Sequence, residues 1–505
     1  MSRSAVARWI ESRLGGYVHP VNRVDESLPL RLEGDERRVA VVGAGLAGLC
    51  VACTLAERGF SVSVFEKEDY LGGKVGAWPV ALRGGGQAFV EHGFHAFFRH
   101  YYNLNRFLRK LGITDSFRPI EDYRILTLDG AEYSFAGIAN TPVLNILSML
   151  RRKVFTLGEV LGNPRTMRLI ALLQYHPERT FRRFDHVSFD DFARAVDLPD
   201  GLRLVFSSFA RAFFASPRLM SFAELVKSFH FYFLGHDGGL IYDYPDDSYE
   251  LSLLGPIEAQ LAKHGARVHT GTPVESIGYQ DGRFLVCGER FDRAILATDV
   301  VGTRRIADAS PELTRPHPRL RRQLGGLRSG ERYAVLRIWT DRAIERDLPG
   351  FVITDQLEVL DSVSIYERLE KSSAAWTQRH GGGIYELHSY AVPDHVPTDR
   401  IRDRFIEEFE RYFPEMAGCR ILDEHLQIRT DFTAFHTGLH AQRPEVETEL
   451  PGLFLAGDWV KLPFPAMLME AAASSGLLAA NAILQAAGLR PEPLQSVPPL
   501  GLLTR

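Results

Sequence analysis

Residues 37–67 read RRVAVVGAGLAGLCVACTLAERGFSVSVFEK, and their pattern is the strongest indication of the fold class of the chain. The apolar run VAVV leads directly into the turn GAGLAG, and a helical stretch and a second apolar run, SVSVF, follow it. Strand, turn, helix and strand in this order are typical of a βαβ unit, in which two parallel strands flank one helix. The stretch therefore predicts an α/β fold around a parallel sheet.

The turn has glycines in the pattern GxGxxG. In this pattern the first glycine permits a tight turn, the second lets a pyrophosphate approach the backbone, and the third lets the helix pack close to the strand. The amides at the start of the helix then bind the phosphate. The residues that we expect to form this contact, called the glycine loop below, are Gly43, Ala44, Gly45, Leu46, Ala47 and Gly48.

Glu66 ends the second strand, and Lys67 follows it. Its position is near the spacing of about 20 residues at which a carboxylate accepts hydrogen bonds from ribose hydroxyls. A GxGxxG pattern alone is a weak signal, but two flanking strands and this acid make it strong. The unit therefore predicts a dinucleotide site without determining which dinucleotide binds.

Two further elements resemble motifs of the FAD-dependent amine oxidase and carotenoid desaturase superfamily. Leu71-Gly72-Gly73-Lys74 is similar to the element after the ribose acid, and Leu455-Ala456-Gly457-Asp458 is similar to the second FAD motif. The resemblance implies that Asp458 binds the ribityl chain and that Val274 contacts adenine. It also implies that the helix near Met469 points its positive amino terminus at the isoalloxazine. Lys74 replaces a commoner arginine, so a bidentate phosphate contact is not expected there.

Three longer stretches narrow the resemblance. VEHGFHAFFRHYYNLNRFLRKLG, at 90–112, resembles the segment after the flavin loop in plant-type and bacterial carotene desaturases. The stretches at 229–247 and 455–484 resemble bacterial β-carotene desaturase/methyltransferases of the isorenieratene-synthase type. This similarity runs over most of the chain from residue 37 onward. It implies that an FAD enzyme makes a carotenoid β-ring aromatic by desaturation and methyl migration, and passes electrons to an acceptor that the sequence does not identify.

Two other functions stay open. The flavin enzyme can act on another isoprenoid, a polycyclic lipid or a secondary metabolite, because this fold hosts many chemistries. A protein of another class, a lipid escort of related fold that has lost the flavin, is the second alternative. The intact glycine loop, Glu66 and the pair Gly457-Asp458 argue against the escort.

The stretch EHGFHAF contains the candidates for catalysis. His95 is the first candidate for a proton acceptor and Glu91 the second, while His92 is expected to line the substrate pocket. The alternative is that all three only shape the pocket through hydrogen bonds. An aromatic cluster is the candidate wall for a polyene, and part of it can equally be core: Phe229, Phe231, Tyr232 and Phe233.

Composition excludes several classes of function. A formal net charge of -4 over 505 residues does not favour nucleic acid as a partner. Four cysteines are too few for a disulfide scaffold and suit a reducing compartment. Cys50 and Cys53 form a CxxC, but they lie on the helix after the glycine loop, where small residues serve packing. His436 and His440 have no third ligand beside them, so no metal is expected.

The chain is expected to be cytoplasmic and peripheral to a membrane. No secretory signal is visible, and no uncharged apolar run reaches the roughly 18 residues that span a bilayer. A carotenoid partitions into lipid, however, so the enzyme must draw its substrate from a membrane surface. The candidate contacts are the stretch from Thr141 to Tyr175 and the amino-terminal helical face on which Val6, Trp9, Ile10 and Leu14 are expected to lie together.

The order of the elements favours a discontinuous Rossmann-type FAD-binding domain interleaved with a mixed α+β substrate domain. Both ends of the chain are α/β in character, and the middle is less regular. Residues 268–298 are typical of successive strands, and Asp281-Gly282 predicts a hairpin turn between two of them. The predicted domains are a lead-in at 1–36, an FAD-binding domain at 37–100, 250–315 and 446–490, a substrate domain at 101–249 and 316–445, and a tail at 491–505.

Overall fold

The fold is built on two large sheets. The structure, a computed structural model, describes residues 5–34, 37–137, 163–238, 241–355 and 357–504. The first sheet has five strands, and every neighbouring pair in it is parallel. Its strands, in spatial order, are Arg267–His269, Ser61–Phe65, Arg38–Val42, Arg293–Leu296 and Leu453–Leu455. The α/β fold predicted from the sequence is confirmed.

Two closely packed helices lie against the five-stranded sheet, whose central strands are buried on both faces. Leu46–Glu57 follows the glycine loop, and Leu468–Ala486 packs directly on it. At Gly476 an added Cβ would lie 2.3 Å from the Ala47 carbonyl oxygen, so the two helix backbones approach more closely than any side chain allows. Strands buried on both faces read as continuous apolar runs, as VAVV does.

The second sheet has seven strands and is antiparallel except for one pair. Along Tyr333–Thr340, Leu336 and Ile338 pack into a core with the helix Ile401–Tyr412. Tyr333 and Val335, in alternation with them, line a cavity on the opposite face. The strands in spatial order are Ile421–Arg429, Tyr333–Thr340, Gly383–Ser389, Ser362–Ile365, Phe351–Thr354, Arg124–Leu126 and Glu132–Ser134.

A small antiparallel sheet contains the hairpin predicted at Asp281-Gly282. Gln280 pairs with Arg283, which leaves exactly these two residues in the turn. Both have positive φ, 51° and 76°, as a type I′ turn requires. The three strands are Ile277–Gln280, Arg283–Val286 and Glu289–Phe291, so this predicted hairpin is confirmed.

Smaller sheets and further helices complete the described part of the fold. Short strands pair at His19–Pro20 with Gln495–Ser496, at Ala77–Ala81 with Gln87–Glu91, and at Tyr242–Pro245 with Phe97–Phe98 and Phe117–Pro119. The other α-helices are Ala5–Leu14, Tyr102–Lys110, Arg179–Phe184, Phe189–Val196, Asp200–Arg211, Phe222–Phe229, Gly255–Lys263, Val300–Asp308, Pro311–Thr314, Pro318–Gly326 and Lys371–His380.

The amino-terminal helix differs in one respect from its sequence pattern. Ile10 and Leu14 are buried against Leu502 of the carboxy-terminal segment, as an amphipathic helix predicts. Trp9, which was expected on the same face, is 53% exposed. It neighbours Ile10 in the chain and lies about 100° around the helix from it, outside the buried stripe.

Candidate active site

One continuous cavity of about 630 Å³ joins the two large sheets. At one end its wall consists of loops at the carboxyl ends of the parallel strands, where ligands of open α/β sheets bind. At the other end the wall consists of aromatic side chains and of residues from the seven-stranded sheet. A ligand at the glycine-loop end and a ligand at the aromatic end would therefore share one continuous cavity.

The glycine loop has the geometry that its pattern predicts. Gly43 has φ of 102°, and a Cβ there would lie 2.7 Å from the Ala297 carbonyl oxygen. A Cβ on Gly48 would lie 2.0 Å from the Gly43 carbonyl oxygen, so the helix packs directly on the turn. At Gly45 the nearest atom to a Cβ is 4.0 Å away, which leaves open cavity beside the helix start. Gly43, Gly45, Leu46 and Ala47 line the cavity.

Glu66 is held beside the glycine loop. Its Oε2 accepts a hydrogen bond from the Ala44 amide at 2.7 Å, and its Oε1 accepts one from the Glu68 amide at 3.0 Å. Burial raises the pKa of Glu66, and these two amides oppose that rise. The carboxylate lines the cavity together with Lys67 and Val274, as the ribose and adenine roles require.

A second pair of glycines closes the same end of the cavity. The Gly72 amide donates to the Ala44 carbonyl at 2.8 Å, and both Gly72 and Gly73 have positive φ. Lys74 follows in the cavity wall, with its Nζ 4.8 Å from the centre of the Phe432 ring. Burial opposes the charge of Lys74, but nearby carboxylates outweigh burial and raise its pKa; they are Asp431, Asp458 and Asp299. The lysine is therefore a cation at neutral pH.

The second motif lies opposite the glycine loop. Gly457 has φ of 151°, and its amide donates to the Ser475 hydroxyl at 2.8 Å. Asp458 accepts a hydrogen bond from the Thr433 hydroxyl at 2.9 Å and lines the cavity. Met469, in the first turn of the helix Leu468–Ala486, also lines the cavity. The helix start thus faces the space between the two motifs.

A third loop at this end was missed by the sequence reasoning. The turn at 297–302 follows the strand Arg293–Leu296, and it contributes Thr298, Asp299 and Gly302 to the cavity wall. Asp299 caps the next helix by accepting a hydrogen bond from the Gly302 amide at 2.7 Å. The sequence did contain a signal for this loop, because an apolar strand followed by an aspartate that can cap a helix is typical of the end of a parallel strand.

The predicted aromatic cluster is divided between the cavity wall and the core. Tyr232 and Phe233 line the cavity, whereas Phe229 and Phe231 do not. Residues 230–234 form a π-helical turn, which changes the face that each side chain occupies. Phe231 is therefore turned into the core, with its ring centre 4.6 Å from that of His100. The aromatic wall also includes residues that the sequence did not indicate: Phe94, Phe98, Tyr123, Phe135, Phe213, Phe214, Tyr242, Phe351 and Phe432.

His95 lies in the cavity wall between the two ends. Its Nδ1 donates to the Gly93 carbonyl oxygen at 2.6 Å, so Nε2 has the unshared pair, and its backbone amide donates to the Tyr249 hydroxyl at 2.7 Å. Burial lowers the pKa of His95 to about 4. His92 also lines the cavity, and its Nε2 is 3.1 Å from the Tyr70 hydroxyl. Both imidazoles are neutral at physiological pH, since burial lowers the pKa of His92 well below its usual value.

Glu91 is not part of the cavity wall, which corrects its assignment as a candidate base. Its side chain is completely buried and forms an ion pair with Arg337. Arg337 also binds Glu386 through Nη2, at 2.8 Å from Oε2. A buried carboxylate that neutralises a buried guanidinium is a structural element, because losing either partner leaves an unpaired charge.

The chain is similar to known proteins over nearly its whole length. The chain is 37% identical over 480 residues to a carotenoid phi-ring synthase of Streptomyces griseus, with 93% of this chain and 92% of the relative covered. It is 28% identical to a carotenoid phi-ring synthase of Chlorobaculum tepidum, over 92% and 91% of the two chains. The solved structure of a putrescine oxidase bound to putrescine superimposes with a TM-score of 0.63 at 16% identity, over 89% and 99% of the chains.

The family comparison agrees with the geometry of the cavity. Residues 46–484 match the model of the flavin-containing amine oxidoreductases, a range that includes the seven-stranded sheet, four of the five parallel strands and nearly the whole cavity wall. The open space beside Gly45 and the carboxylate of Glu66 fit the FAD that this family implies. The chain belongs to the flavin-containing amine oxidoreductase family, and it is an FAD-dependent oxidoreductase.

Proposed function

We propose that the chain desaturates a carotenoid β-ring and moves one methyl group, so that the ring becomes aromatic. The observation that carries the proposal is the continuous cavity, which leads from the glycine loop into a predominantly aromatic chamber. An apolar ring is stabilised there because its burial removes apolar surface from water. The similarity to two carotenoid phi-ring synthases over more than nine-tenths of the chain supports a carotenoid ring as substrate.

The glycine-loop end of the cavity would hold FAD. The amides after Gly45 would bind the pyrophosphate, Glu66 the ribose, Val274 the adenine and Asp458 the ribityl chain. The start of the helix at Met469 would face the flavin ring, where its positive end stabilises negative charge. Bound FAD supplies two-electron oxidation, with an external acceptor such as a quinone or dioxygen taking the electrons onward.

In the proposal, four further residues complete this end of the cavity: Lys67, Gly72, Gly73 and Lys74. The two glycines keep the wall free of side chains next to the glycine loop. Lys74, charged and half-buried in the cavity wall, adds a positive potential near the phosphates or the flavin edge. A single ammonium gives this potential without the fixed fork of a guanidinium.

The proposed reaction must overcome one chemical obstacle. One carbon of a β-ring carries two methyl groups and cannot become planar while it keeps both. Loss of a hydride leaves a ring cation that the polyene delocalises, and a methyl group migrates to the neighbouring electron-poor carbon. Loss of a proton, followed by loss of a second hydride and a second proton, completes the aromatic ring. The ring thus gives up four hydrogens and keeps all its methyl groups.

The aromatic chamber suits such a cation. Phe94 stacks on Phe351 with ring centres 5.0 Å apart, and Tyr242 lies against Phe94 with ring centres 6.0 Å apart. The negative faces of aromatic rings attract a cation, most strongly when water is absent. Tyr232 and Phe233 extend the same apolar wall, which keeps water from adding to the cation before the methyl group moves.

Peripheral contact with a membrane is part of the proposal. Within the described ranges, no helix is long and apolar enough to cross a membrane. Of the candidate stretch from Thr141 to Tyr175, residues 141–162 lie outside the described part of the chain. In its remainder Met167 is 64% exposed and Ile170 is 44% exposed, and Trp9 is 53% exposed. Apolar side chains exposed in this way are suited to insertion between lipid head groups.

The direct test is to express the chain in bacteria that accumulate β-carotene and to analyse the pigments by mass spectrometry and proton NMR. We expect a product that has lost four hydrogens per processed ring, shows aromatic protons and keeps its methyl count. Desaturation without methyl migration would contradict the transfer half of the proposal. Unchanged β-carotene beside an intact flavin spectrum would indicate another isoprenoid or lipid substrate. Cells that express a Gly45→Leu variant are the matched control.

A further inference from the structure

A second histidine lies in the cavity wall, behind Gly93. His388, on the strand Gly383–Ser389, is 3% exposed and lines the cavity. A Cβ on Gly93 would lie 2.8 Å from Cε1 of His388 and 3.3 Å from its Nδ1. The imidazole therefore lies directly against the backbone that also holds His95. Gly93, with φ of 127°, keeps this contact possible.

The orientation of the His388 ring follows from Glu386. These residues are two positions apart on one strand and point to the same face. Nε2 of His388 is 2.9 Å from Oε1 of Glu386. An ionised carboxylate only accepts hydrogen bonds, so Nε2 donates to it, and in the neutral form of the ring the unshared pair is on Nδ1. Nδ1 has no hydrogen-bond partner among the described residues, and it faces the side of the ring next to Gly93.

Glu386 is kept ionised by its surroundings. Nε of Arg337 donates to Oε2 at 2.9 Å, the Tyr366 hydroxyl donates to Oε1 at 3.0 Å, and the Phe94 amide donates to Oε1 at 3.1 Å. Burial opposes the charge, but Arg337 and His388 outweigh burial and lower the pKa of Glu386 to about 2. The carboxylate is therefore a fixed negative charge at the back of the imidazole.

We propose that His388 is the catalytic base that takes the ring protons, with Glu386 as its positioning residue. The inference rests on the proposed function. When a C–H bond beside the ring cation breaks, its electron pair forms the new ring double bond, and the proton binds Nδ1 of His388. The resulting imidazolium is paired with the Glu386 carboxylate and gives its proton to water after each of the two proton losses, so that Nδ1 is free to accept the second proton of the ring.

The comparison with His95 supports this choice. Nδ1 of His95 binds a neutral carbonyl oxygen, which orients the ring but adds no compensating negative charge. His388 has a carboxylate in the same place, as histidine bases have when they must become positively charged in a water-poor site. His95 then shapes the wall, and its backbone amide holds Tyr249.

The first experiment compares three substitutions in purified, flavin-loaded enzyme with β-carotene in micelles. We expect His388→Gln to keep its flavin spectrum and to lose at least about 100-fold of aromatic product, the lower range for a general base. His95→Gln should lose less than His388→Gln. His425→Gln is the matched control, because His425 lies in the same sheet on the strand Ile421–Arg429, one strand beyond Tyr333–Thr340 and outside the cavity wall, and it should stay within about twofold of wild type. A loss in His95→Gln that equals or exceeds that in His388→Gln would overturn the proposal.

Two further measurements test the proposal in other ways than by the loss of aromatic product in His388→Gln. Added imidazole should restore part of the product in His388→Ala, which leaves a space for it, and should not restore the product in His388→Gln. Long-range ¹H–¹⁵N spectra of histidine-labelled enzyme should show His388 with its proton on Nε2, and Glu386→Gln should shift this tautomer signal. A proton on Nδ1 in the wild type would overturn the pairing, even if the chain made no aromatic ring and the proposed function had failed.

Discussion

The Oε2 atom of Glu66 and the backbone amide of Ala44 are joined by a 2.7 Å hydrogen bond across 22 residues of chain. One side chain therefore ties the end of the second strand to the glycine loop. The same carboxylate lines the cavity, so the group proposed to bind ribose also sets the shape of the group proposed to bind pyrophosphate.

We expect Glu66→Ala to purify with at least tenfold less bound flavin than wild type. Each lost hydrogen bond to a charged group costs about 1.5–3 kcal/mol, and about 1.4 kcal/mol corresponds to a factor of ten in affinity. The ratio of flavin absorbance to protein absorbance measures the effect. Asp69→Ala, which removes an exposed carboxylate outside the cavity wall, is the control and should keep its flavin. Equal occupancy in both variants would refute the role of Glu66.

Gly45→Leu and Gly43→Ala should fail in different ways. Gly45 has φ of -69°, and its Cβ would point into open cavity, so Gly45→Leu should fold normally and lack flavin. Gly43→Ala forces a Cβ to 2.7 Å from a carbonyl oxygen at positive φ, so it should lower the melting temperature. Circular dichroism and flavin absorbance separate the two effects. Full flavin occupancy in Gly45→Leu would show that no pyrophosphate lies beside this residue.

The CxxC should be dispensable for turnover. Cys50 and Cys53 are both buried, and burial raises the pKa of Cys53 to about 12, so neither is a thiolate at neutral pH. A Cys50→Ala, Cys53→Ala double variant should retain flavin and activity and lose only about 1–2 kcal/mol of folding free energy. Denaturant unfolding and product formation test both statements. Loss of turnover in a variant that stays folded and yellow would reverse this interpretation.

Glu470 should make the folded state less stable as pH rises. Its oxygens accept hydrogen bonds from the amides of Asn103 and Leu104, and burial nevertheless raises its pKa to about 8. The folded state binds the proton more tightly than the unfolded state, so the contribution is complete below about pH 4.5 and is lost as pH rises toward 8. The loss amounts to a few kcal/mol at most, since one pKa unit corresponds to about 1.4 kcal/mol.

The unfolding free energy of Glu470→Gln, measured in urea at pH 5, 7 and 9, should depend less on pH than that of wild type. The variant keeps one of the two accepting oxygens and has no carboxyl to titrate. A parallel decline in both proteins would assign the pH dependence to other groups.

Membrane binding should depend on the exposed apolar side chains of Trp9 and Met167. A Trp9→Glu, Met167→Glu variant should bind liposomes at least tenfold more weakly than wild type, because two charges then face the lipid. Leu285→Glu, an exposed leucine on the small antiparallel sheet, is the matched control. Complete recovery of the wild type in the supernatant at every lipid charge would contradict peripheral attachment.

Sequence predicted best what is local in the chain. The glycine loop, the hairpin at Asp281-Gly282 and the strand before Gly457 each depend on a few neighbouring residues, whose backbone requirements can be read directly. Such elements adopt the same backbone geometry in different tertiary surroundings, and in the structure each lies where its motif predicts.

What could not be predicted depends on partners far apart in sequence. Glu91 is 246 residues from Arg337, and no local pattern shows that this carboxylate is neutralised and turned away from the cavity. His388 is a single histidine in an apolar strand, and only the fold places it against Gly93. The sequence left both cavity wall and core open for the aromatic cluster, because it does not show the π-helical turn that puts Phe231 in the core and Tyr232 in the cavity wall.

The five-stranded sheet has a consequence for how the enzyme matures in the cell. Its central strand, Arg38–Val42, is synthesised early, but its edge strand, Leu453–Leu455, and the helix that follows leave the ribosome only when nearly all of the chain has been made. The glycine loop is therefore synthesised long before the segment that completes this end of the cavity wall, which follows more than 400 residues later in the chain. Cofactor capture is then a late, post-translational event, and nascent chains that stall before this helix should be degraded as colourless protein.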